Sequence, residues 1–190
     1  MRVSLRSVLA AALLPLALVL AALAGCGDDG GETTGPSASR PDDFAFTFAH
    51  TDGSVPPPYH AEWSVEVRPD GSGKATYTPD YSGDGVPTYR ATFTVSSEDM
   101  DDIYERMRDA GLLEPIASTD EPPVGGSVES ARIYADGETF DVPAFDEEGG
   151  SPLAPVSAAV QGLVPTADWD SFEARRAAYA KKEYGEAPPG

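Results

Sequence analysis

Tyr89-Arg90-Ala91-Thr92-Phe93-Thr94-Val95-Ser96-Ser97-Glu98-Asp99-Met100-Asp101-Asp102-Ile103-Tyr104-Glu105-Arg106-Met107-Arg108-Asp109-Ala110-Gly111 changes its hydrophobic period part-way along. Tyr89, Ala91, Phe93 and Val95 alternate with polar residues, which predicts a half-buried strand. From Met100 the spacing becomes helical, and Met100, Ile103, Tyr104, Met107 and Ala110 make one apolar stripe. Ser96 or Ser97 caps that helix, Glu98 and Asp99 place acid at its positive end, and Arg106 and Arg108 suit its last turn. Gly111 ends it. A strand running directly into a helix, rather than into another alternation, marks the boundary between a run of strands and a run of helices.

Upstream, Phe44, Phe46 and Phe48 alternate in one strand, and Trp63, Val65 and Val67 in a second. Pro69-Asp70-Gly71 is a turn, after which Ala75 and Tyr77 point inward in a third strand. Asp52 to Pro58 must be a loop, because Pro56-Pro57-Pro58 cannot donate to a ladder. Downstream, Glu114 to Gly126 reads as loop, and strands 128–134 and 138–142 flank the hairpin signal Asp136-Gly137. Ser151-Pro152 is expected to open a short helix with Leu153, Val156, Val160 and Leu163 inside, closed by Pro165. Thr166 or Asp168 starts a last helix carrying Trp169, Phe172 and Tyr179 on one side and ending in Arg175, Arg176, Lys181 and Lys182. The expected fold class is α+β, with element order β-β-β-β-α-β-β-α-α: an antiparallel sheet of about six strands with helices packed on one face.

The amino terminus has a different character. Arg2 and Arg6 precede an unbroken apolar run from Val8 to Ala24, and Leu23-Ala24-Gly25-Cys26 closes it before Gly27-Asp28-Asp29-Gly30-Gly31. Basic start, apolar middle and small-residue end are the marks of an export signal. Leu23-Ala24-Gly25-Cys26 resembles the lipobox of bacterial lipoproteins. That resemblance implies cleavage before Cys26, a diacylglycerol on its sulfur and often an amide-linked third chain. Residues 1–25 are thus expected to be a lipoprotein signal peptide and residues 26–43 a flexible tether with a reach of roughly 20–25 Å. Residues 44–184 would form one globular domain, and 185–190 a frayed tail. The expected location is the extracytoplasmic face of the cell membrane, held through lipid on Cys26. Ten arginines against three lysines, with abundant Ala, Gly and Asp, resemble the usage of high-GC actinobacteria.

Charge narrows the function. The whole chain carries −19. Losing residues 1–25 removes Arg2 and Arg6 and no acid, leaving 11 basic against 32 acidic side chains, or −21. Such a surface repels phosphate backbones and anionic headgroups, so nucleic acid is not an expected partner. Cys26 is the sole cysteine; once acylated, it leaves no thiol for a disulfide, a metal or a nucleophile. The domain must therefore stand on its apolar core, and a monomer is expected.

Chemistry-bearing residues are sparse. His50 and His60 are the only histidines, and Gly125-Gly126-Ser127-Val128-Glu129 fails the nucleophile-elbow pattern at its last position. Without a base beside an activated Ser or Cys, nucleophilic catalysis has no footing. His50, Asp52 and His60 would hold zinc only if the flanking strands brought them together. Asp80-Tyr81-Ser82-Gly83-Asp84-Gly85 resembles the start of an EF-hand loop, but position twelve is Ala91, where a bidentate glutamate belongs. No cofactor is expected. Trp63, Trp169 and most tyrosines read as core or edge residues; Tyr59, with His60 on the proline-stiffened loop, suits partner contact.

A further resemblance concerns the domain as a whole. The element order, with Ser-x-x-Asp at Ser96 to Asp99, is similar to small bacterial domains of the emfourin type over residues 44–164. That resemblance implies inhibition of thermolysin-like metalloproteases. The Gly-Gly-rich first strand of those domains is missing here, so no inhibitory residue carries over. The leading expectation is a membrane-anchored, non-enzymatic binding or interaction module, in its sharper form inhibitor-like. The alternative is an envelope hydrolase using carboxylates, of which 32 are available, or a weakly bound metal.

Overall fold

The computed structural model describes residues 39–117, 125–146 and 150–185. The proposed signal peptide, Cys26, most of the tether, the middle of the 114–126 loop and the last five residues lie outside the described residues. The described part belongs to one compact unit, Thr34–Gly190.

Six strands form one antiparallel sheet: β1 (Ala45–Thr51), β2 (Glu62–Val67), β3 (Ser72–Thr78), β4 (Tyr89–Thr94), β5 (Val128–Ala135) and β6 (Glu138–Asp146). The spatial order β4-β3-β2-β1-β5-β6 has a meander on one side, and the chain then returns past the helix after β4 to pair β5 with β1. Register puts the alternating apolar residues opposite one another: Phe46 faces Val67 and Ile133, and Phe48 faces Val65 and Ala131. A shift of one residue would turn all of them to solvent, so burial sets the pairing. Phe44, Phe48, Val65, Ala75 and Ile133 are fully buried on this face. The opposite face, with Thr47, Lys74, Arg90, Thr92, Arg132 and Tyr134, is open to solvent.

The helices are α1 (Ser97–Asp109), α2 (Ala154–Leu163) and α3 (Thr166–Tyr184), all packed on the apolar face. Ser96 is the N-cap of α1, its hydroxyl accepting the Asp99 N–H at 3.1 Å while donating to the Asp99 carboxylate at 2.6 Å. Met100, Ile103, Tyr104 and Met107 are its buried stripe, and Tyr104 meets Phe44 edge-on at 5.1 Å. Replacing Ser96 with alanine should lower unfolding free energy by about 1 kcal/mol in urea titration, with no change in the sheet's spectroscopic signature. Among the described residues, no helix is long and apolar enough to cross a membrane.

Two boundaries differ from the sequence expectation. β6 continues past Val142 to Asp146 although Pro143 lies within it. Glu129 pairs with Phe145 and Ala131 with Val142, so one β5 residue faces two on β6. Pro143 sits in that bulge on an edge strand, where its missing N–H interrupts no ladder. The helix expected at Ser151 begins at Ala154 instead. Ser151 uses its hydroxyl on the Leu153 N–H at 3.1 Å and its carbonyl on the Ala154 N–H at 3.2 Å, making a turn first; Pro155 then sits in the first helical turn.

The chain is clamped where it enters the sheet. The Arg40 guanidinium donates to Asp101 at 2.6 Å and to Ser97 at 3.1 Å, near the start of α1. Asp43 accepts the N–H groups of Asp136 and Gly137 at 2.9 and 2.7 Å. Those two residues have φ of 54° and 77°, the geometry of the tight hairpin turn between β5 and β6. Arg40, the α1 N-terminus and the β5–β6 turn therefore share one end of the sheet.

Candidate functional site

The loops gather at the other end. Antiparallel register places Thr51, Glu62, Thr78, Tyr89 and Val128 together, so the 52–61 and 79–88 loops and the described end of the 114–126 loop must meet there. Gly53 and Gly126 touch backbone to backbone: a Cβ on Gly53 would fall 2.2 Å from the Gly126 carbonyl oxygen. A Gly53→Ala substitution should therefore push these loops apart, lowering stability by about 1–3 kcal/mol in thermal melts and speeding proteolysis near residue 53.

Side chains from two loops and α3 bind this end together. Tyr81 stacks on His60 with ring centroids 3.6 Å apart, and its hydroxyl donates to the Val55 carbonyl at 2.8 Å. His60 is 1% exposed, with its ring nitrogens 3.3 Å from the Gly53 carbonyl and 3.4 Å from Glu62. Glu62 also accepts the Ser82 hydroxyl, and the Tyr184 hydroxyl at the end of α3 donates to Asp80. Arg176 donates to the Tyr59 carbonyl at 2.9 Å and the Pro58 carbonyl at 3.4 Å. The Asp80 contact drives the Tyr184 phenol pKa well above its ordinary value. Burial and the Glu173 carboxylate do the same for Tyr77, which donates to Glu173 at 2.9 Å. Both phenols remain neutral donors at physiological pH.

This construction leaves part of several apolar side chains in solvent. Val55, Tyr59, Tyr81 and Tyr184 are 36, 41, 43 and 42% exposed, while Tyr134, the other large exposed apolar side chain among the described residues, lies on the open sheet face. Pro56 and Pro57 are exposed beside them, with Pro58 buried beneath. An exposed aromatic group on a braced loop presents large area at small ordering cost, which is what a contact surface requires.

A second cluster lies just inside. His50 and Glu129 are cross-strand neighbours on the buried face, with His50 Nδ1 3.8 Å from Glu129 Oε1. The other His50 nitrogen is 3.2 Å from Asp52, and its ring stacks on Trp63 at 5.1 Å. Glu129 is 1% exposed and accepts the Ser157 hydroxyl from α2. The Ser157 hydroxyl therefore spends its proton on the Glu129 carboxylate.

No family model matches this chain, and no curated protein matches it.

Of the residues singled out in the sequence, His50 and Asp52 do meet, but His60 turns to Gly53 and Glu62. Among the described residues, no group of three or more His, Cys, Asp or Glu is arranged to hold a metal. In the 80–85 turn, Asp80 is buried against Tyr184, Ser82 bonds Glu62 and Asp84 is exposed, so the three do not converge as an EF-hand would require. Tyr59 is 41% exposed, whereas His60 is 1% exposed with its ring stacked under Tyr81. Val55, Tyr81, Tyr184 and Glu129 were not singled out. Glu129 carried a signal, an acid in phase with Ala131, Ile133 and Ala135 on an inward face. Tyr184 carried none, because its place depends on α3 continuing past the sheet edge.

Proposed function

We propose that this chain is a lipid-anchored, extracytoplasmic binding module, non-enzymatic and monomeric, that meets its partner through the tyrosine-rich loop end. One observation carries the reading: the exposed rings of Tyr59, Tyr81 and Tyr184, with Val55, gather on braced loops at the end of the sheet opposite Arg40 and Asp43. The chain enters the sheet at the clamped end, and the tyrosines lie at the opposite end of the sheet. The strongly acidic composition keeps the domain off anionic headgroups. The similarity in element order to emfourin-type domains supports an inhibitor-like version, with an extracellular protease as the partner.

The rival reading, an envelope hydrolase, draws on His50 lying between Asp52 and Glu129. It stands second because Glu129 is sealed on the inner sheet face and accepts a hydrogen bond from Ser157. Hydroxyl-radical footprinting of the full-length lipidated protein tests the first reading. Adding solubilised envelope should protect Tyr59, Tyr81 and Tyr184 saturably and leave Tyr134 unchanged. Equal protection of all four tyrosines, or of none, contradicts it.

A further inference from the structure

We infer that the occupant of the tyrosine-rich end is an extended, basic polypeptide segment, one bearing several Lys or Arg side chains. The inference rests on the loop end being the contact surface and names what that surface recognises. Phenol faces attract ammonium and guanidinium groups through the ring quadrupole, most strongly where carboxylates stand nearby. Tyr59, Tyr81 and Tyr184 are each about two-fifths exposed, Tyr81 with its other ring face against His60. Asp84 is exposed on the Tyr81 loop, and Asp52, Glu62 and Glu183 add negative charge nearby while each also holds a partner within the fold: His50 for Asp52, His60 and Ser82 for Glu62, Lys182 for Glu183.

The positive groups of this end are largely occupied by the protein itself. Arg176 holds the Pro58 and Tyr59 carbonyls, Arg175 lies 3.8 Å from the centroid of the Tyr89 ring, and Lys182 pairs with Glu183. Lys181, exposed in the last turn of α3, adds one positive charge against these acids. A field from a chain of net charge −19 or more negative draws cations from a distance.

The exposed rings come from two separate loops and a helix end, so a single small cation would cover one of them. An extended chain, advancing roughly 3.3 Å per residue, sets charged side chains against several at once. An anionic phospholipid surface does not fit the acidic rim.

The test uses the full-length lipidated protein in detergent micelles and fluorescein-labelled twelve-residue peptides of alternating Arg and Ser, or of Glu and Ser. The Arg peptide should bind and the Glu peptide should not. Tyr59→Ala combined with Tyr184→Ala should weaken binding about fivefold, and adding Tyr81→Ala about tenfold or more, while Tyr134→Ala leaves it unchanged. Circular dichroism melts confirm that each variant is folded; if Tyr81→Ala unfolds the loop end, Tyr59→Ala alone still reads the ring contribution, at about threefold. Binding that ignores the tyrosines at 150 mM salt is long-range charge attraction alone and overturns the inference. So does absence of binding, or protection of these tyrosines by phosphatidylglycerol vesicles. If envelope protects the tyrosines and the Arg peptide does not bind, the contact surface stands and its basic occupant falls.

Discussion

Phe48→Ala should lower unfolding free energy by about 3–5 kcal/mol, a large part of the 5–15 kcal/mol typical of a domain. Phe48 is fully buried at the centre of β1, the strand paired on both sides, where it faces Val65 and Ala131. Its ring stacks on Trp63 at 5.7 Å, and Trp63 meets Trp169 of α3 edge-on at 5.5 Å. Removing the ring opens a cavity between the sheet and the helix that braces the loop end. The urea midpoint should fall steeply and the melting temperature by about 10 °C. Tyr134→Ala on the open face should stay within about 0.5 kcal/mol of the parent. A Phe48→Ala variant as stable as Tyr134→Ala would show that β1 is not the centre of the core.

Cys26→Ala should move essentially all of the protein out of the carbonate-washed membrane fraction or stop its processing, leaving residues 1–25 attached. The prediction follows from the lipobox-like Leu23-Ala24-Gly25-Cys26 and from the strength of a double acyl anchor, about 0.8 kcal/mol per buried methylene. Immunoblots of fractionated cells, with the mass of the product, check it. A Cys26→Ala protein that is cleaved at the same place and still pellets with membranes would exclude acylation as the tether.

The sheet was readable because its signals are local. Phe44, Phe46 and Phe48 alternate, Asp136-Gly137 can only turn tightly, and Ser96 caps a helix whose stripe starts at Met100. The position of β5 beside β1 was not readable, since it depends on a long return past α1 and on side chains that meet only after folding. β6 was cut short for a similar reason. Pro143 looks like a terminator until Glu129 and Phe145 pair across the bulge. The loop end shows the limit most plainly. Tyr59 stood out beside three prolines, but Tyr81 looked like part of an acidic turn and Tyr184 like the tail of a helix. Only the fold brings His60 under Tyr81 and Asp80 against Tyr184, setting both tyrosines at the same end of the sheet as Tyr59.

A photo-reactive phenylalanine analogue placed at position 59 or, separately, at position 134 of the full-length protein, irradiated in the cells that produce it, tests the proposed contact surface directly. The predicted result is a discrete cross-linked adduct from position 59, competed by excess unlabelled protein, and none from position 134. Adducts of equal yield from both positions, or from 134 alone, would contradict it.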